Sequence, residues 1–151
     1  MKVRYTIPAM DFQAAGKAST EVKRLLSRLG LGAEFIKRIV VAMYEGEMNI
    51  AIHGGGGIVE LDVDPMSVEI RLIDHGPGIE DIGLAMTEGY STASEAVRSM
   101  GFGAGMGLPN MKRNADSLEI DSAPGAGTRV RLAFSIPDSR AEAFPAGGGL
   151  G

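Results

Sequence analysis

Glu45, Asn49 and His53 stand at i, i+4 and i+8, so a helix through them carries all three on one stripe. A carboxylate and an amide one turn apart suit phosphoryl transfer. The amide oxygen can ligate magnesium, and the glutamate can accept a proton from an attacking hydroxyl. The same spacing also fits a solvated helix face ending on a histidine near the C-terminus. A second group, Asp74-His75-Gly76-Pro77-Gly78, follows an apolar run. An aspartate at a strand end can accept a hydrogen bond from an exocyclic amine such as that of adenine, with glycines allowing close backbone approach. An ordinary turn has this composition too. A third group places glycine at 101, 103, 105 and 107, ahead of Leu108 and a helical pattern. Bare amides and a helix N-terminus there could cradle phosphates, or the glycines could serve as a hinge. The last group is Gly125-Ala126-Gly127-Thr128, a hydroxyl beside a glycine turn.

The elements that must position these groups follow from periodicity. Alternation over residues 2–7 predicts a strand of edge type that Pro8 terminates. Val22, Leu25, Leu26 and Leu29 predict an amphipathic helix over 11–29 with Gly30 as its stop. A second helix is expected over 33–53, with Ile36, Ile39, Val40, Met43 and Ile50 on its apolar face. Residues 58–64 and 67–74 read as a hairpin around Asp64-Pro65-Met66. A long stretch, 75–106, offers one short helix near 80–86, and loops of such length usually have a job. A helix over 108–115 and strands over 117–122 and 128–136 complete the pattern. Helices first and strands after predict an α+β fold, a two-layer sandwich in which a mixed, mostly antiparallel sheet is covered on one face by helices. The composition beyond Pro137 is too poor in apolar residues to offset ordering entropy, so the expected domain is 1–137 with a flexible tail over 138–151.

Composition narrows the function. The 151 residues suit one domain, and 44% hydrophobic with 23% charged residues is a globular balance. A net charge of −4 gives no footprint for nucleic acid or an anionic membrane. Without cysteine, disulfides and thiolate metal sites are excluded; with no apolar signal core or long apolar run, the expected compartment is the cytoplasm. The glycine loop lacks the Gly-Lys-Ser/Thr ending of a Walker A motif, and the chain lacks the His-Arg-Asp loop of ordinary protein kinases.

Taken in order, the four groups resemble the nucleotide-binding boxes of the GHKL (Bergerat-type) superfamily over residues 1–136. Glu45-Gly46-Glu47-Met48-Asn49-Ile50-Ala51-Ile52-His53-Gly54 is similar to the form found in the stand-alone anti-sigma-factor serine/threonine kinases. Glu88-Gly89-Tyr90-Ser91-Thr92 and the run from Gly101 through Arg113 resemble the lid and following helix of the switch-kinase branch. The resemblance implies ATP and Mg2+ as ligands, with Asn49 on magnesium, Glu45 activating the acceptor hydroxyl and Asp74 on the adenine amine. It further implies that Thr128 assists at the base, that Gly76 and Gly78 shape its pocket, and that His53 belongs to the nucleotide site. Gly103, Gly105 and Gly107 would let the lid close, with Met106 and Leu108 beside the nucleotide and Lys112 or Arg113 aiding charge neutralisation. The implied substrate is a serine or threonine of a STAS-domain anti-sigma-factor antagonist. The competing partner in such systems is often a sigma factor or a PP2C-type phosphatase, and dimerisation is common in the anti-sigma branch. An ATP-binding module that sequesters or activates a partner with little catalysis is the alternative output.

Overall fold

The computed structural model describes residues 1–11, 14, 16–79, 86 and 107–137. Five strands, β1 (Lys2–Ile7), β2 (Gly57–Val63), β3 (Ser67–Asp74), β4 (Ser117–Ser122) and β5 (Thr128–Ser135), form one sheet in the order β1-β2-β3-β5-β4. Every pairing is antiparallel, so the parallel component allowed by a mixed sheet is absent among the described strands. β1 lies at an edge, where its following Pro8 disturbs no ladder.

Among the described residues three helices accompany the sheet: α1 (Lys17–Arg28), α2 (Ala33–Ile52) and α3 (Gly107–Asn114). Alternation decides which face they cover. Val59 and Leu61, Val68, Ile70 and Leu72, and Val130, Leu132 and Phe134 are buried on one face, each contributing on the order of 1.5–3 kcal/mol. The opposite face is charged: Glu69 Oε1 sits 2.6 Å from Arg71 and 3.0 Å from Arg131, and Arg4 meets Glu60 at 2.8 Å. These ion pairs suit a solvated surface, and none of the described helices packs there.

α2 is the central helix. At 100° per residue, Ile39, Met43, Gly46 and Ile50 face the sheet, Val40, Tyr44, Glu47 and Ala51 face α1, and Arg38, Ala42, Glu45 and Asn49 face α3. Three sides of one helix are thereby covered. Gly46, which costs helix propensity, is where α2 comes closest to β3: a Cβ there would stand 2.8 Å from Leu72 Cδ1. The interior glycine that weakens the helix in isolation is required by its packing.

α1 begins at Lys17, later than the 11–29 expectation, because its start is fixed from elsewhere in the chain. Gly16 has no side chain to cap the helix. Glu47 of α2, 1% exposed, accepts hydrogen bonds from the Gly16 N–H at 3.0 Å and the Ser19 N–H at 2.6 Å. A carboxylate at the positive end of α1 satisfies two of its orphan donors. No helix among the described residues is long and apolar enough to cross a membrane. The short helix expected near 80–86, the lid residues 88–92 and the 138–151 tail lie outside the described residues, Met86 excepted.

Candidate functional site

Strand register brings the second and fourth motif groups together. Ile7 pairs with Gly57, Gly57 with Asp74, Asp74 with Thr128, and Thr128 with Ser122. One row of residues therefore crosses all five strands at the end of the sheet, on the face that the helices cover. Asp74 and Thr128, 54 positions apart, are direct cross-strand neighbours, close enough for their side chains to address one ligand.

Two loops close this end. The Asp74 carboxylate accepts the Gly76 N–H at 2.9 Å, which turns the chain, and the Ile79 N–H donates to Ser122 Oγ at 2.8 Å. The Gly125 N–H donates to the Pro77 carbonyl at 2.7 Å. Gly78 and Gly127 hold φ values of 80° and 77°, a region costly for other residues. A Cβ on Gly78 would strike the Ala123 carbonyl, and one on Gly127 the Asp74 carbonyl. The Asp-x-Gly-x-Gly turn and the Gly-x-Gly-Thr turn are thus one structure built from two loops. Gly54, just past α2, completes it: a Cβ there would lie 2.6 Å from Asp74 Cγ.

The first and third groups meet on the α3 side of α2. Gly107 stands against Asn49, where a Cβ would come within 2.9 Å of Oδ1 and 3.0 Å of Nδ2. One turn on, Asn110 Nδ2 donates to Glu45 Oε1 at 3.2 Å, and at the far end Arg38 Nε donates to the Asn114 carbonyl at 3.0 Å. Three contacts in antiparallel register dock α3 along the stripe that carries the candidate chemistry. Gly107, the first described residue of α3, consequently faces Asn49. Pro109, lacking an N–H, sits in this first turn without loss of a ladder bond. Gly103, Gly105 and Met106 lie outside the described residues; Leu108 is buried against the core.

His53 is the C-cap of α2, its N–H donating to the Asn49 carbonyl at 2.9 Å. Burial pushes its pKa below the usual 6.5, with the Asp74 carboxylate pulling the other way, so the ring is neutral at pH 7. Its carbonyl lies beside Gly76, which puts His53 at the junction of the helix stripe and the Asp74 turn. Glu45 has a further neighbour. It borders a cavity of about 1060 Å³ between β1, α1 and α2, lined also by Tyr5, Ser19, Val40 and Tyr44.

These residues suit a magnesium nucleotide. Asp74 is a half-buried carboxylate that makes no ion pair with Lys or Arg among the described residues. No cluster of three His, Asp or Glu among the described residues could hold a metal alone. Asn49 is the residue that would hold a magnesium ion here, and the ion would neutralise phosphate charge. Ser122, Asn110 and Glu47 are structural contributors that spacing did not single out. Alternation alone puts Ser122 on the helix-covered face of β4, while Asn110 and Glu47 act across helices and carry no local signal.

A helix-backed antiparallel sheet with an aspartate turn at one end and a glycine-led helix beside an Asn is the arrangement of the GHKL ATP-binding class. Residues 9–134 match the histidine kinase-like ATPase domain family, and the chain belongs to that family. It is 37% identical over 120 residues to an anti-sigma F factor of Thermoanaerobacter sp. (strain X514), covering 76% of this chain and 80% of that one. It is 32% identical over 113 residues to the serine/threonine-protein kinase RsbT of Bacillus subtilis (strain 168), covering 72% and 79% respectively. Among solved structures, the RsbU and RsbW domains of a Mycobacterium tuberculosis protein align at TM-score 0.60 and 18% identity over 91% of this chain, which spans 33% of that longer one. The mycobacterial sensor histidine kinase MprB aligns at TM-score 0.53 and 20% identity, over 88% of this chain and 97% of that one. The two structures agree with the fold, and the family match bears out the resemblance drawn from the four motif groups.

Proposed function

We propose that the chain is a serine/threonine protein kinase of the partner-switching type, using magnesium-ATP to phosphorylate a STAS-domain antagonist. The observation that carries this reading is the double position of Glu45. On one side it is tied to α3, one helical turn from Asn49; on the other it borders the cavity between β1, α1 and α2. A hydroxyl presented through that cavity would reach Glu45 while the phosphates lie on the Asn49 side. Bound ATP with magnesium supplies the γ-phosphoryl group and neutralises its charge. Glu45 accepts the proton as the hydroxyl oxygen bonds to the γ-phosphorus and the bond to the β-phosphate oxygen breaks. Asn49 holds the ion, the α3 N-terminus faces the phosphates, and Asp74 with Thr128 holds the adenine. The test is transfer of labelled γ-phosphate to a STAS-domain partner by wild type and by Glu45→Gln. Equal transfer by the two would remove Glu45 from the chemistry.

The relatives named anti-sigma F factors favour a second output, nucleotide-dependent holding of a protein such as a sigma factor. Its signature is partner affinity that rises with ATP, survives Glu45→Gln and falls in Asp74→Asn, read by calorimetry. An affinity indifferent to nucleotide would eliminate it.

A further inference from the structure

Ser122 belongs to no motif, yet its hydroxyl lies at the meeting point of three segments. It is 2.8 Å from the Ile79 nitrogen, 2.9 Å from the Gly127 carbonyl oxygen and 2.9 Å from Thr128 Oγ1. A hydroxyl has one proton and two lone pairs. The Ile79 N–H can only donate, so it takes one lone pair. The Gly127 carbonyl can only accept, so it takes the proton. The remaining partner, Thr128, must then donate its own proton to the second lone pair. Every capacity of Ser122 is used, and the direction of the Thr128 hydroxyl is fixed as a result.

That direction has a chemical consequence in the base pocket. Thr128, with its proton committed to Ser122, presents only lone pairs. Its register neighbour Asp74 is a carboxylate, also an acceptor, with Oδ1 engaged by the Gly76 N–H. We infer that Ser122 is a positioning residue for base selection, keeping Thr128 and Asp74 together as an acceptor-only pair that favours a purine presenting a 6-amino group to it over one presenting a 6-oxo group. The inference rests on the nucleotide reading above and extends it to specificity. Ser122 acts through Thr128 and touches no ligand itself. Without it, the Thr128 hydroxyl is free to turn, either donating to an oxo group or hydrogen-bonding the Asp74 carboxylate in competition with the amine. Either change erodes discrimination, because a buried acceptor facing an acceptor is left unpaired.

The experiment is calorimetric titration of the full chain, with magnesium present, by ATP and by inosine triphosphate, whose base carries oxygen where adenine carries the amine. The quantity read is the ratio of the two dissociation constants. Ser122→Ala is expected to shrink the wild-type preference for ATP about tenfold, and Ser122→Thr, which keeps the hydroxyl, to restore it. A loss equal for both nucleotides in Ser122→Ala, leaving the ratio intact, overturns the inference and leaves the nucleotide reading standing. Thr128→Val, which removes the acceptor outright, is read alongside in case Ser122→Ala does not fold, and an unchanged ratio there also overturns it. A wild type that binds neither nucleotide overturns the nucleotide reading, and the inference falls with it.

Discussion

The Asn110 side-chain amide donates to Glu45 Oε1 at 3.2 Å, joining the first turns of α3 to the middle of α2. This bond orients the carboxylate proposed to receive the hydroxyl proton, and misplacement at such a group is costly to rate. Asn110→Ala is expected to lower phosphoryl transfer about tenfold while moving the melting temperature little, since the contact is only partly buried. Single-turnover transfer of labelled phosphate, with thermal melting as the control, measures both.

Gly107 offers a separation of binding from stability. A Cβ there would displace the end of the Asn49 side chain, which can swing, and would meet no backbone closer than that amide. Gly107→Ala is expected to weaken magnesium-ATP binding about five- to tenfold with an unchanged urea midpoint. Titration with and without magnesium would localise the loss to the ion, and an equal loss in both conditions would contradict the assignment of Asn49.

The reverse pattern is expected at Gly46. Alanine there gains about 0.5–1 kcal/mol of helix propensity, but its methyl group runs into the side chain of Leu72, which is 3% exposed and must shift within the packed core. Overpacking of this kind costs about 1–3 kcal/mol, so Gly46→Ala destabilises in urea unfolding. Combining it with Leu72→Ala relieves the clash, and a double-mutant cycle should show favourable coupling.

Glu47 predicts a graded series. Glu47→Ala leaves the N–H groups of Gly16 and Ser19 without their shared acceptor, at about 1–3 kcal/mol. Glu47→Gln keeps one amide oxygen for one of the two donors and is expected to lose less. Hydrogen exchange should report the damage first at the start of α1.

His53 gives the pH dependence. Its folded pKa is depressed by burial, so the neutral ring is favoured in the native state. The associated stability is fully present above about pH 6.5 and is lost as pH falls from there through the folded value. His53→Gln should flatten that part of the stability profile. Since the Asp74 carboxylate raises the His53 pKa, Asp74→Asn should push it lower still, as an NMR titration of the ring would show. Glu69, held below the usual carboxylate range chiefly by the Arg131 hydrogen bond, adds a second loss only near and below pH 4.5.

The sequence by itself determined the elements and the chemistry on offer. Strand and helix limits mostly fall within a residue or two of the periodicity, because alternation and the helical repeat are local consequences of which face is buried. The Glu45, Asn49 and His53 stripe was legible for the same reason, being fixed by one helix. The start of α1 was not, since its cap comes from Glu47, 31 residues from Gly16. Nor was the pairing of Asp74 with Thr128, which depends on β5 entering the sheet between β3 and β4. Only the tertiary structure decided that Ser122 orients Thr128, that Asn110 holds Glu45, and that Gly46 is a packing requirement. Each of these is a contact between segments distant in the chain, and a periodic pattern records that a face is buried without recording what buries it.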